Sequence, residues 1–215
     1  MKNSLSLLVL LLTGSFYCEL VAKEKLFSAT LKNNVMVDIN KITSHDKDMF
    51  VCAKELWMNT FDVLYKEYTP EQLYLKNTSE ALTSLLKIAF EGEEDDFNND
   101  KEDVLFVVVS DVQTNEIVAF ASYDINETSE NKTMYIRQLA LNKEYRNQGL
   151  GKALILDMVK IIAQNNPVLV TVCTRDINES AINFYHKLNF QDASIKDIHP
   201  GWSEHIWRGF KLIVN

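Results

Sequence analysis

Residues 134–174 constrain the fold more than any other part of the chain. "MYIRQLALN" (Met134 to Asn142) has the composition of a strand. A short turn follows, and "GLGKALILDMVKIIAQNN" then places Leu150, Leu154, Met158 and Ile161 at a helical repeat. "PVLVTVCT" (Pro167 to Thr174) is a continuous apolar run of buried-strand type. Strand, helix and strand in that order form a crossover. Upstream, "VLFVVVSD" (Val104 to Asp111), the turn "TNE" and "IVAFASYDI" (Ile117 to Ile125) form a hairpin. Hairpins alternating with crossovers require a mixed sheet.

The flanking segments extend this pattern. "VMVDINKI" (Val35 to Ile42) alternates as a half-buried strand does. Phe50, Ala53, Leu56, Trp57, Phe61 and Leu64 then recur at helical spacing, with Ser44 or Asp46 as a cap. A second helical region opens at Thr69-Pro70 and breaks near Asn77. Residues 91–103, "EGEEDDFNNDKED", hold eight carboxylates and one lysine, and are expected as an exposed loop. "NESAINFYHKLNF" reads as a short helix capped by Asn178, and "QDASIKDI" and "HIWRGFKLIV" as two strands around "HPGW". The expected fold class is α/β (α+β): a mixed, mostly antiparallel central sheet of about seven strands flanked by about four helices. The 215 residues suffice for one such domain, placed at residues 23–215.

Residues 1–22 read as a signal peptide, with Lys2, the apolar run Leu5 to Leu12 and the aliphatic or small residues Leu20 to Ala22 before a cut. An uncleaved anchor is the alternative. A cleaved leader implies an exported or secreted protein, periplasmic or extracellular; an uncleaved one implies a membrane-anchored or cytoplasmic protein. Cys52 and Cys173 remain after such a cut, both read as small core residues. No histidine pairs with cysteine at metal-ligand intervals, so no metal is expected. The net charge of −8 disfavours nucleic acid as a partner. Four N-x-S/T triplets, at Asn77, Asn126, Asn131 and Asn178, are read as chance in an asparagine-rich chain.

The turn "YRNQGLGKAL" carries the chemistry. The first amides of a helix lack intrahelical acceptors, and the helix dipole adds partial positive charge there. Gly149 and Gly151 have no Cβ, so an anion can approach the backbone, with Arg146 and Lys152 beside it. A P-loop is excluded: Arg146 stands where it needs glycine, and Ala153 where it needs Ser or Thr. A dinucleotide fingerprint is excluded by Leu154.

Arg146-Asn147-Gln148-Gly149-Leu150-Gly151 resembles the R/Q-x-x-G-x-G/A signature of the GNAT superfamily of N-acetyltransferases. Asn178, Ala181, Phe184, Tyr185, Lys187 and Phe190 resemble its later helix motif, with Asn189 where the family usually has glycine. The resemblance covers residues 134–190. It implies acetyl-CoA as co-substrate and an amine as acceptor. It implies that Arg146, Asn147, Gln148, Gly149, Leu150, Gly151 and Lys152 form the pyrophosphate site. Leu139, Ala140 and Leu141 then pair with the pantetheine arm, Asn178 lies beside that arm, and Tyr185 points at the thioester sulfur as general acid. A phenol of pKa ~10 still holds its proton at neutral pH. Many relatives carry glutamate in the strand before the turn, where Arg137 stands here. The base is left open among Asp111, Glu144, His199 and a water chain. A catalytically silent acyl-CoA-binding or interaction module is the alternative. The acidic run suits a polyamine or basic protein tail, or is simply a solvated loop. Trp57, Tyr65, Trp202 and Trp207 either line the acceptor pocket or are core, the latter being the plainer reading.

Overall fold

The computed structural model describes residues 24–66, 68, 79–128, 132–164, 166–200, 202–204 and 206–214. The leader at 1–22, the Thr69-Pro70 opening and the break near Asn77 lie outside the described residues. In chain order the elements are β1 (Glu24–Thr30), β2 (Met36–Ile42), α1 (Lys47–Lys66), α2 (Ser79–Asn98), β3 (Val104–Asp111), β4 (Ile117–Glu127) and β5 (Lys132–Leu141). Helix α3 follows as Leu150–Lys152, a π-helical Ala153–Asp157 and Met158–Ala163. Then come β6 (Val168–Arg175), α4 (Glu179–Lys187), β7 (Gln191–Ala193), α5 (Ile195–Ile198) and β8 (Trp207–Val214).

The strands form one sheet in the order β1-β2-β3-β4-β5-β6-β8-β7. Only β5 and β6, the strands of the crossover, pair in parallel; the other neighbours are antiparallel. β3 and β4 read as unbroken apolar runs because both of their faces are covered. On one face α1 and α2 bring Phe50, Trp57, Phe90 and Phe97 against Phe106 and Phe120. The Phe50 and Phe97 rings stack with centroids 3.9 Å apart. On the other face α3, α4 and the turn after α4 bring Leu154, Met158, Tyr185 and Phe190 against Val107, Val109 and Ile136. Tyr123, fully buried, donates from its hydroxyl to the Leu154 carbonyl over 2.7 Å, inside the π-helical stretch of α3.

The expected fold class holds: one mixed, mostly antiparallel sheet, of eight strands where about seven are expected, with five helices among the described residues. The additional strand is β1, a half-exposed edge strand whose "EKLFSAT" has no sustained alternation. Two expectations are corrected. The acidic run is an exposed turn only over residues 99–103; over 91–98 it is helical, because α2 continues to Asn98. Leu86, Phe90, Glu93 and Phe97 fall at spacings of four, three and four, so one helical face carries all four inward. Finally, "QDASIKDI" is a three-residue strand followed by the one-turn helix α5.

Candidate functional site

β5 and β6 pair from Lys132–Val168 to Ile136–Val172 and then separate. The cause lies on the other edge of β5. Against β4, Tyr123 faces Ile136 while Ser122 faces Gln138, so Arg137 is an extra residue in β5. Such a bulge bends its strand and strengthens the local twist. Meanwhile β6 stays paired with β8 as far as Arg175–Trp207. Arg137 to Leu139 on β5 and Val172 to Arg175 on β6 thus become walls of a wedge-shaped cavity of about 320 Å³.

Helices close the wedge. Trp57, Phe61 and Tyr65 of α1 and Leu86 of α2 cover one side, with Trp202 and Trp207 beyond. Asn178, Ala181 and Tyr185 come from the start and body of α4. The plainer reading of the aromatics as core is therefore corrected. Trp57 is both core and wall; Tyr65, Trp202 and Trp207 line the cavity. Trp57 Nε1 donates to Gln138 Oε1 over 2.8 Å, which ties α1 to β5 just past the bulge.

The acidic run meets the bulge here. Arg137 Nε donates to Glu93 Oε1 at 2.9 Å, and its Nη1 to Asp96 at 2.6 Å and Asp124 at 3.2 Å. Burial pushes the Glu93 carboxyl up, and the Arg137 charge pulls it back down. Burial likewise raises Asp124. The signal that could have located Glu93 is its place between Phe90 and Phe97 on one helical face.

The glycine turn sits at the end of β5. Asn147 and Gly149 both hold left-handed backbone, at φ 60° and 97°. Gly149 caps α3 with no side chain bonded to the helix end, and a Cβ built on it would touch nothing within 4 Å. The space beside Gly149, where the first turn of α3 begins with amides that lack intrahelical acceptors, is therefore open. Gly151 serves packing instead: a Cβ there would lie 3.0 Å from the Phe184 ring. Arg146 Nε donates to the Leu141 carbonyl, and Arg146 borders a separate groove against Cys52 and Glu55 of α1. Of the other expected binding residues, Leu139 lines the wedge, Ala140 packs into the α1–α2 core, and Leu141 approaches Gly151.

Asn178 caps α4, its Oδ1 accepting from the Ala181 N–H over 3.1 Å. The far end of α4 closes in a Schellman turn: Phe190 N–H donates to the Tyr185 carbonyl and Asn189 N–H to the His186 carbonyl, with Asn189 at φ 64°. Tyr185 and Phe190 rings pack 5.5 Å apart across this turn. The turn fixes the Tyr185 backbone, and the packing fixes its ring in the wall of the cavity. Burial raises the Tyr185 phenol well above its ordinary value.

Nothing in the sequence distinguishes Tyr135 or Arg175 as site residues, and Cys173 is not the plain core residue its strand pattern suggests. Cys173 is half-buried, free and part of the wall. Burial lifts its thiol to about 12, with Tyr135 beside it. The candidate bases fare unequally. Asp111 accepts from Gln113 N–H, Thr114 N–H and the Tyr145 hydroxyl, so it anchors the turn and does not face the wedge. Burial works against those hydrogen bonds, yet its carboxyl is held low. His199 stacks on Trp202 at 4.1 Å and meets Tyr135 edge-on at 4.9 Å, behind the cavity wall. Burial lowers its imidazole. Glu144 is exposed on the turn. No group of three or more His, Cys, Asp or Glu among the described residues is arranged to hold a metal ion.

The acetyltransferase (GNAT) family model matches residues 61–190. Among solved structures, the PaiA N-acetyltransferase of Thermoplasma acidophilum, in complex with coenzyme A, superposes with a TM-score of 0.58 at 15% identity, over 81% of this chain and 97% of that one. The GNAT domain of S. lividans PAT gives 0.58 at 11% identity, over 87% and 96%. A GNAT-family acetyltransferase of Staphylococcus aureus Mu50 gives 0.52 at 14%, over 83% and 99%. These likenesses are of fold. The family match itself spans more than half of the 215 residues, and the chain belongs to the GNAT family of acetyltransferases.

Proposed function

We propose that this chain is an N-acetyltransferase moving an acetyl group from acetyl-CoA to a primary amine by direct transfer. One observation carries the reading: the edge of β5 freed beyond Ile136 leads straight to a helix start that Gly149 caps with no side-chain hydrogen bond. A diphosphate suits that helix start, where the amides of residues 148–152 meet the charges of Arg146 and Lys152. The free edge at Leu139 to Leu141 suits an amide-bearing arm, which adds to it as a further strand does. An N–H on that edge can also hold a thioester carbonyl. The complex of the Thermoplasma PaiA protein with coenzyme A supports the same ligand.

When bound, acetyl-CoA supplies the acyl group as an activated thioester. Tyr185 holds a proton in the cavity wall and donates it toward the departing sulfur. Burial raises the Tyr185 phenol, so it still holds the proton it would give at neutral pH.

Calorimetry with coenzyme A, together with thiol release from acetyl-CoA over an amine panel, tests the reading. Wild type is expected to bind, and Gly149→Glu to lose binding while remaining folded. Correctly folded wild type that gives no heat with coenzyme A overturns it.

A further inference from the structure

The acceptor side of the cavity has a chemistry of its own, and the choice of acceptor rests on the N-acetyl transfer proposed above. All three tryptophans of the chain, Trp57, Trp202 and Trp207, line this cavity, together with Phe61, Tyr65 and Tyr135. They form two ladders. On α1, Trp57 meets Phe61 at 4.7 Å and Phe61 meets Tyr65 at 5.7 Å. On the β8 side, Trp202 meets Trp207 at 4.2 Å.

Strand alternation separates this side from the glycine turn. Ile136, Val172 and Phe210 point into the core under α3 and α4. Tyr135, Cys173 and Trp207, one or three positions away, therefore point to the opposite face. The amine thus meets the aromatic ladders on the face away from the helix start that suits the diphosphate.

Charge narrows the class further. None of the described lining residues is a carboxylate; the charged ones are Arg137 and Arg175. The Arg175 guanidinium lies over the Trp207 ring at 5.3 Å. Three carboxylates of the acidic run are paired, Glu93 and Asp96 with Arg137, and Glu94 with Lys54. A polycation entering this space would give up water from several ammonium groups and find no carboxylate among the described lining residues. A single amine on a flat apolar body gives up less and gains ring stacking. The volume, about 320 Å³, is at the small end of the range of small-molecule sites, roughly 300–1,000 Å³.

We infer that the acceptor is a small primary amine carrying one planar apolar body and no second cationic group, as 2-phenylethylamine does, and not a polyamine or a basic protein tail. The ladders hold the body, and the amine projects toward Tyr185 in the wall of the wedge.

Intrinsic fluorescence reads this directly, because every tryptophan lies in the one cavity. The full chain, first saturated with coenzyme A in a calorimeter, is titrated with 2-phenylethylamine, butylamine and spermidine, and acetyl transfer to each is measured with acetyl-CoA. The expected result is a saturable change in emission with 2-phenylethylamine, at an affinity about tenfold or more above that for spermidine. The kcat/KM values follow the same order. Phe61→Leu and Trp207→Leu each raise KM for 2-phenylethylamine about tenfold and change KM for butylamine far less; two variants on separate elements guard against one misfolding. Spermidine binding or reacting as well as 2-phenylethylamine overturns the inference and leaves the transferase intact. So does an emission spectrum that 2-phenylethylamine leaves unchanged. Absence of coenzyme A binding overturns both.

Discussion

Arg137 Nε donates to Glu93 Oε1 over 2.9 Å, and that bond joins the acidic helix α2 to the bulge that opens the sheet. Glu93 is 3% exposed, so its carboxylate depends on the guanidinium for compensation. Removing one partner of a buried pair leaves the other charge stranded, at a cost of about 3 kcal/mol. Arg137→Met is expected to lower the urea midpoint accordingly near neutral pH. The pH dependence has a definite sign. Burial raises the Glu93 and Asp124 carboxyls, and Arg137 lowers both. Without Arg137 both rise further, and a raised carboxyl favours the folded state as pH falls. The stability gap between variant and wild type should narrow as pH falls from neutrality toward the ordinary carboxylate range. A gap that widens on acidification would remove Glu93 from the account.

Gly151 and Phe184 couple the two halves of the site. A Cβ on Gly151 would lie 3.0 Å from Phe184 Cζ and 3.2 Å from its Cε2. Phe184 precedes Tyr185, so a displaced Phe184 ring disturbs the helix that aims the phenol. Gly151→Ala is expected to cost about 1–2 kcal/mol, as overpacking does. It should lower kcat more than it weakens coenzyme A binding, since alanine leaves the helix amides in place. Gly149→Ala should do the reverse, because there the space is open and the φ of 97° is the obstacle. Thermal melts beside calorimetry separate the two.

The crossover, the hairpin and the glycine turn were legible because each rests on local pattern: apolar period, turn residues and the special backbone of glycine. The Asn178 cap was legible for the same reason. Glu93 was hidden because its charge interrupts the apolar period on which a helix face is recognised, although Phe90 and Phe97 bracket it. The bulge at Arg137 was hidden because register belongs to a pair of strands, not to one of them. Trp202 and Trp207 were ambiguous in sequence: aromatic spacing is identical for a filled core and for the wall of a cavity. Only the divergence of β5 from β6 decides between them.

Tyr185 is buried among Phe184, Phe190 and Phe210, and that burial raises its phenol. A proton donor with a raised pKa keeps its proton well into the alkaline range. The kcat of wild type is therefore expected to show no loss from this group below about pH 10, the ordinary phenol value. Tyr185→Phe should lower kcat about 100-fold, within the range for general acid catalysis, with coenzyme A affinity nearly unchanged. A variant that keeps full kcat would make Tyr185 a packing residue.

Asn189 stands at φ 64°, one residue past the cap of α4, where the chain reverses into β7. An L-residue without a short polar side chain costs about 1–2 kcal/mol in that backbone; glycine costs nothing there, and asparagine little. Asn189→Gly should leave the melting temperature within a degree or so, the small steric gain being offset by a freer unfolded chain. Asn189→Ala should cost about 1 kcal/mol. The loss should also be felt in catalysis, because the same turn places Phe190 N–H on the Tyr185 carbonyl and the Phe190 ring on the Tyr185 ring. Asn189→Ala is thus expected to reduce kcat with little change in coenzyme A binding, and Asn189→Gly to leave both as they are. If alanine and glycine behave alike in both melts and kinetics, the left-handed turn is not what orients Tyr185.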